Sequence, residues 1–546
     1  MHRVTRRQFL IGSAGVIVSA VAAGSALTLL RNTPPESQSH ADVSLSLVEH
    51  YNLRDPPDSL DVSWQQVNNI KRAVDQAVAL GIGTYVLFAR DTFEATLPYD
   101  FELPGVGNLA EAYAPDSKTR RVAEGMRACL TEVAHYTDAR QVGLLLHTNQ
   151  FETLPAIYER VQDRVVGATG TPICPGREDT WRIYRGKVET FCQMFPGFDG
   201  LQVTADESEV TILDCQCAYC QHLDPVARID LLTDETARAV GSREAQMRTW
   251  QFLAGMDAYD PRHMTASLPP NVTLSLKSTR GDFMLDAPFD DALVGAGDAA
   301  RQSIEFDAWG EYTGHNFLPC YMGDIWAPQF AICAARGIRR YAIRMNWGTE
   351  INPLFERPWA GLVNLRVALA LARQPRLSAD DALRQFIAEA YPATAREAAF
   401  AFYKSTPDFI RTIYYIDGAY LAHHSRLLKT VDLIRETYAI VRNSLRVPAD
   451  FEGQRQRVEA AYRAMAERLV ALVGISPAWR EEMERAAQVM RFVGLGLVNE
   501  LEAVSDHRAD PQVRQRIEVA EAAWQAFDPD SFRSMRGVMP RIALES

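Results

Sequence analysis

Three acidic clusters give this chain the makings of a hydrolytic cleft. "ADESE" sets Asp206, Glu207 and Glu209 directly after an apolar run, and "RGDFMLDAPFDD" sets Asp282 and Asp286 after another. "SIEFDAWGEYTG" (303–314) mixes Glu305, Asp307 and Glu311 with Phe306, Trp309 and Tyr312. Carboxylates are costly to bury, so acids crowded among aromatics ask for a reason. Two or three carboxylates around a cleft can share the hydrolysis of a glycosidic bond. One stays protonated as the acid, while another activates water or attacks the sugar directly. Aromatic rings offer flat apolar faces to sugars, and Trp309, Tyr312, Trp326 and Trp347 are the candidates.

A second cluster is sulfur-rich. "DCQCAYCQH" holds Cys215, Cys217 and Cys220, with His222 next. Three thiolates and an imidazole would complete a tetrahedral structural zinc site. A disulfide or free thiols is the other reading, since Cys-x-Cys-x-x-Cys without a second half is weaker than paired knuckles. Nothing else in the sequence calls for a cofactor.

The acids need elements to bring them together. Apolar runs at 81–90, 141–150, 198–209, 271–279 and 337–348 read as strands ending in polar residues. Helical patterns at 67–80, 120–136 and 180–195 lie between them. This repeat predicts an α/β fold, a (β/α)8 TIM-type barrel over 42–375, whose C-terminal strand ends gather the acidic segments at one mouth. An open doubly wound sheet is disfavoured because no glycine-rich phosphate loop follows the first strand. In this reading 303–314 is the loop after a strand. From 376 to 546 the apolar spacing turns helical, with a cap expected at Ser378, and predicts an α-helical C-terminal domain.

Residues 1–41 read as a signal and linker. "TRRQFLIGSAG" (5–15) resembles a twin-arginine export signal, and an apolar run follows to Leu30. The expectation is a periplasmic or extracellular protein, with any membrane contact made through this segment, either cleaved or kept as an anchor. A length of 546 residues implies more than one domain. The net charge of −12 argues against nucleic acid as a partner and leaves an oligosaccharide as the expected one. Oligomeric state is not readable.

From about 180 to 400 the chain resembles family 67 α-glucuronidases. "TWRIYRGKVETFCQMFPGFDGLQVTADESE" (180–209) is similar to the family's tryptophan-rich helix, turn, strand and Ser-Glu pair. "LKSTRGDFMLDAPF" (276–289) matches its Lys, Asp-Phe and Pro-Phe positions at Lys277, Asp282, Phe283, Pro288 and Phe289. "WGEYTG" resembles its Gln-Glu-Tyr-x-Gly, "CYMGDIW" its Tyr-x-Gly-x-x-Trp, and Asn346–Trp347 its Asn-Trp segment. The resemblance implies an inverting glycosidase. It places the general acid on Glu209, or Glu207 with one residue of slippage, and the catalytic-base carboxylates on Asp282 and Glu311. Glu305 and Asp307 then read as ordinary loop acids.

An inverting pair stands about 6.5–9.5 Å apart to admit water. The acid needs a raised pKa, which burial supplies. Lys277 and Arg248 match cations that hold the uronate. The family's lysine before the acid is Thr204 here, and its leading β-sandwich does not fit ahead of the barrel. The cysteine cluster is similar to that of hexosaminidase-like barrels. In that alternative Asp206 orients the substrate's acetamido group and Glu207 is the acid. A non-catalytic carbohydrate-binding protein, or a zinc hydrolase using the cysteines, are the remaining alternatives.

Overall fold

Eight short strands close on themselves: β1 (Ser44–His50), β2 (Thr84–Phe88), β3 (Gly143–Asn149), β4 (Gly200–Thr204), β5 (Glu244–Thr249), β6 (Val272–Lys277), β7 (Gln302–Asp307) and β8 (Arg340–Trp347). The order around the ring is β1-β8-β7-β6-β5-β4-β3-β2, every neighbouring pair parallel. This is a closed parallel barrel. The computed structural model describes residues 43–50, 61–88, 93, 96–113, 117–149, 151, 155–166, 173–205, 212–213, 215–249, 268–347, 353–416, 419–420, 422, 424–427, 450–504 and 511–536. The export-signal expectation, on residues 1–41, lies outside them. Among the described residues no helix is long and apolar enough to cross a membrane.

Helices form the outer ring: α1 (Asp61–Ala79) after β1, α2 (Lys118–Asp138) after β2, α3 (Pro155–Val165) and α4 (Glu178–Met194) after β3, and α5 (Pro225–Val240) after β4. Further on, α6 (Gly323–Ala335) follows β7 and α7 (Pro358–Arg373) follows β8. Their starts are chemically marked. Ser117 accepts from the Arg120 amide at the head of α2, and Asp224 from the Ala227 amide at the head of α5, where Pro225 takes the first turn. On α1 the residues Val67, Ile70, Ala73, Val74 and Ala77 recur at helical spacing and are all fully buried against the barrel.

The strands expected at 81–90, 141–150, 198–209, 271–279 and 337–348 are present, with shorter bounds. The expected loop at 303–314 is half strand. Residues 302–307 are β7, and the loop starts at Ala308. Ile304 and Phe306 face outward, where Phe306 stacks on Phe330 of α6 at 4.1 Å. Ser303, Glu305 and Asp307 therefore face the barrel axis. Glu305 and Asp307 are buried, not solvated loop acids.

Among the described residues six helices follow the barrel: α8 (Ala379–Ala390), α9 (Arg396–Tyr414), α10 (Phe451–Val470), α11 (Pro477–Val504), α12 (Pro511–Phe527) and α13 (Pro529–Met535). Ser378 caps α8, accepting from the Asp381 amide. They dock on the barrel's C-terminal side. The Trp359 indole donates to Glu482 at 2.7 Å, the Tyr321 amide to the Thr406 hydroxyl at 2.9 Å, and the Leu285 amide to the Tyr415 hydroxyl at 3.0 Å.

Candidate active site

The barrel interior is apolar only at a small plug of Val48, Val86, Leu145 and Ala342. Beside it Gln202 of β4 donates to Gln246 of β5 at 3.0 Å and to Ser275 of β6 at 3.3 Å. Towards the C-terminal strand ends the inward positions carry charge. This differs from the branched aliphatic layers that usually fill such barrels. Arg248 of β5 grips Glu305 of β7 through two hydrogen bonds, 2.6 and 3.0 Å, with both side chains almost wholly sealed from water. Burial alone would raise the Glu305 carboxyl. Arg248, Arg344 and Lys277 outweigh that and hold it below the usual range.

Arg344 of β8 is the second node. Its guanidinium meets Asp307 at 3.2 Å and Glu311 at 2.5 Å. Asp307 shapes the loop that follows. Its carboxylate accepts from the Trp309 amide at 3.2 Å and from the Glu311 amide at 2.8 Å. The Arg344 carbonyl accepts from the amides of Ala308 and Trp309, both at 3.0 Å. Gly310, at φ +80°, lets the chain turn so that Glu311 returns to the guanidinium that Asp307 already holds. Burial pushes the Asp307 carboxyl up, and the neighbouring Glu311 charge adds to that. Glu311 is pulled the other way. Despite burial, Arg344 and His424 hold it well below the usual carboxylate range.

His424 comes from the helical domain. Its Nδ1 lies 2.8 Å from Glu311 Oε1. Its neighbour Ser425 donates to the Glu311 carbonyl at 2.7 Å and accepts from the Gly314 amide at 2.8 Å. Both His424 and Ser425 have positive φ, 47° and 60°, a conformation that costs energy in non-glycine residues. The docking contacts hold them there.

Asp282 sits on the loop after β6. Gly281, at φ +79°, turns the chain. The Arg280 amide pairs with the Pro288 carbonyl at 2.9 Å, and the Ser278 amide with the Glu305 carbonyl at 2.9 Å. This folds the loop so that Asp282 returns to Lys277 and forms an ion pair with its ammonium group. The other Asp282 oxygen accepts from the Tyr312 hydroxyl at 2.5 Å. Tyr312, buried beside the Asp282 and Glu311 charges, is pushed well above the usual phenol range and stays a donor. Asp282 is 12% exposed. Glu311 is 3% exposed, with one oxygen on Arg344 and the other on His424.

The structure thus brings Arg248, Lys277, Asp282, Glu311 and Tyr312 into one connected network. Asn346 is buried at the end of β8. The acids Asp206, Glu207 and Glu209, and the Trp347 side chain, lie outside the described residues. Thr204, where a lysine was of interest, bonds His147 Nε2 at 2.6 Å, and His147 stacks on Phe88 at 3.4 Å. Two expected sugar platforms are packed away. Trp326 of α6 meets Phe306 edge-on at 5.7 Å, and Trp309 stacks on His315 at 4.2 Å. Neither presents a face to a cleft, because both are almost fully buried. Asp286 pairs with Arg411 of α9 at 3.0 Å, away from the network.

Sequence reasoning missed Arg344, Glu305, Asp307 and His424. Arg344 was findable, since "RYAIRMNW" alternates around an expected strand. His424 has no sequence signal that ties it to the barrel.

The cysteines stand apart. The Sγ atoms of Cys215, Cys217 and Cys220 gather with that of Cys174, all four within 4.8 Å of one another. His222 is not in that group and its side chain is exposed.

No protein-family model matches the chain, and no curated protein sequence matches it. Among solved structures it is similar to a GH138 enzyme targeting pectin rhamnogalacturonan II. The TM-score is 0.56 at 10% identity, over 91% of this chain and 80% of that one. A mutant of the Thermobaculum terrenum O-GlcNAc hydrolase aligns at TM-score 0.43 and 11% identity, over 91% and 92% of the two chains. CpGH84B aligns at 0.41 and 10%, over 91% and 75%. At such identity the first likeness is one of fold, a fold that glycoside hydrolases use. The other two carry no argument. That first likeness is to a GH138 enzyme and does not single out family 67.

Proposed function

We propose that the protein is a glycoside hydrolase that cleaves a uronic-acid-bearing oligosaccharide at the C-terminal mouth of the barrel. The observation that carries this reading is the Lys277–Asp282–Tyr312 arrangement, a carboxylate held by two donors yet open to the mouth. An ionised carboxylate with one open edge can take a proton from an attacking water. Lys277 pairs with one oxygen of Asp282 and Tyr312 donates to the other, which fixes its orientation. Glu311 has a different role from the paired base expected of it. With one oxygen on the Arg344 guanidinium and the other on the His424 imidazole, it positions both and stays out of the proton transfer.

The acid in this scheme is Glu209 or Glu207, delivered by the segment after β4. Inversion follows if a water fits between base and sugar, at the separation of about 6.5–9.5 Å that such pairs keep. Of the network's cations Lys277 belongs to the more open pair, and it is the one a sugar carboxylate would meet. The α-glucuronidase-like specificity rests on Lys277 and on the resemblance at Lys277 and Asp282. The twin-arginine-like N-terminus supports a periplasmic or extracellular location.

The test is turnover of a panel of aryl glycosides and uronic-acid-bearing oligosaccharides by the native protein and by Asp282→Asn. A fall in kcat of about 10²–10⁴-fold with sugar binding retained is expected, the range for losing a general base. Undiminished turnover in Asp282→Asn removes Asp282 from the chemistry. Hydrolysis of N-acetylhexosaminides that is abolished by Asp206→Asn makes the protein a hexosaminidase. Binding without turnover makes it a carbohydrate-binding protein.

A further inference from the structure

The four-cysteine cluster joins two loops at the C-terminal side of the barrel. Cys174 lies between α3 and α4, and Cys215, Cys217 and Cys220 lie between β4 and α5. Cys174 is 41 residues upstream of Cys215 in the sequence. Its Sγ lies 3.6 Å from that of Cys217 and 3.6 Å from that of Cys220. No cysteine of the described residues is in a disulfide. Four thiolates at the corners of a tetrahedron around zinc, with Zn–S about 2.3 Å, stand about 3.8 Å apart along each edge. The observed spacing fits that edge, with no pair near the roughly 2.05 Å of a sulfur–sulfur bond.

The surrounding backbone is arranged for thiolates. The amides of Tyr219 and Cys220 are directed at the Cys217 sulfur, and the Gly176 amide at the Cys174 sulfur. Amides turned onto sulfur in this way stabilise negative charge on it. Both loops are clamped. Arg228 of α5 donates to the carbonyls of Ile212 at 3.1 Å, Leu213 at 2.5 Å and Cys220 at 2.5 Å. On the other side the Cys174 amide pairs with the Val165 carbonyl at 2.8 Å, and the Cys174 carbonyl accepts from Thr180 at 2.9 Å. Tyr219 packs so closely over Gly176 that a Cβ there would fall 2.5 Å from its ring. The two halves fit each other without leaving room for a side chain.

We propose that Cys174, Cys215, Cys217 and Cys220 bind one structural zinc ion. The fourth ligand is Cys174, replacing the imidazole of His222 that the local sequence offered. Four protein ligands close the coordination sphere, so the ion has no open position for substrate or water and is not catalytic. Its role is to tie the α3–α4 connection to the loop after β4, where Cys215 lies six residues beyond Glu209 in the sequence. The inference stands on the cysteine geometry alone and does not need the glycosidase reading.

The experiment is elemental analysis of the full-length protein purified under reducing conditions, alongside Cys174→Ser and His222→Ala. The expected result is one zinc per chain in the native protein and in His222→Ala, with zinc lost or bound at least 10-fold more weakly in Cys174→Ser. Should Cys174→Ser fail to fold, an organomercurial titration of the native protein decides. Zinc release complete only after four thiols have reacted supports four-thiolate ligation, and release after three overturns it. Cobalt exchanged into the site should show the visible bands of a four-thiolate centre. Retention of zinc by Cys174→Ser, iron in place of zinc, or two disulfides and no metal would each overturn the assignment.

Discussion

Replacing Arg344 with methionine isolates what the buried network costs and contributes. Methionine keeps the aliphatic length and removes the charge. Two carboxylates then lose their partner, at 3.2 Å for Asp307 and 2.5 Å for Glu311. At an effective dielectric near 20, those pairs are worth about 5 and about 7 kcal/mol before desolvation is counted. The variant escapes most of that by protonating one of the two carboxyls. Taking up a proton at pH 7 on a carboxyl of ordinary pKa, about 4.3, costs roughly 2.7 units of 1.36 kcal/mol, or about 4 kcal/mol. At pH 5 the same step costs about 1 kcal/mol.

The sign follows from linkage. In the native protein Glu311 is held well below the usual range, so its stabilising contribution is present above the unfolded pKa and is lost as pH falls through the folded one. In Arg344→Met the folded pKa lies above the unfolded one, and the penalty appears above the unfolded pKa and grows as pH rises. Urea unfolding of both proteins at pH 5, 6 and 7, followed by tryptophan fluorescence, reads the difference. A penalty near 4 kcal/mol at pH 7 that shrinks to near 1 at pH 5 is expected. A penalty of equal size at both pH values refutes the electrostatic account and leaves only a packing defect.

Trp326→Ala should lower stability by about 3–5 kcal/mol, as for a buried aromatic on Phe306, and leave KM of the folded fraction unchanged. A raised KM with little loss of stability would return Trp326 to the sugar site. Tyr312→Phe removes one hydrogen bond to the Asp282 carboxylate. It should lower kcat about 10- to 100-fold, matching the 1.5–3 kcal/mol of a bond to a charged group, with KM little changed. An unchanged kcat in steady-state assays would show that Tyr312 does not orient the base.

The strands that sequence reading found contain apolar runs, such as "YVLF" in β2 and "GLLL" in β3. Alternation alone did not hide a strand, since β6 (VTLSLK) and β8 (RYAIRMNW) alternate and were found, but β5 and β7 were missed. In β5 Ala245 and Met247 face the helices while Gln246 and Arg248 face the axis, and β7 does the same with Ile304 and Phe306 against Glu305 and Asp307. Parallel strands buried on both faces usually read as continuous apolar runs. A barrel lined with charge breaks that rule, and β5 and β7, whose inward faces carry Arg248, Glu305 and Asp307, were the charged strands that went unread. Asp282 and Lys277 were legible because five residues separate them. Cys174 and His424 were not, since only the tertiary fold carries them to the cysteine loop and to Glu311.

The network is asymmetric around the ring, and the asymmetry follows from strand register. Lys277 of β6 sits beside Glu305 of β7, and Asp307 of β7 beside Arg344 of β8. Acidic β7 therefore has a cation on each flank, where inward side chains of adjacent strands meet. Arg248 reaches Glu305 from β5, past the small Ser275 of β6 that faces it in register. The opposite arc, β2 to β4, offers Phe88, His147, Gln202 and Thr204. Within the charged arc the Arg248–Glu305 and Arg344–Glu311 pairs are sealed. A group entering from the mouth gains nothing from them without first breaking a buried ion pair, a step costing about 3–5 kcal/mol. Lys277–Asp282 is the more open pair. On the proposed reading, substrate charge and catalytic base must therefore meet at the same lysine, so Lys277 holds the base in the free enzyme and shares its charge with the sugar in the complex.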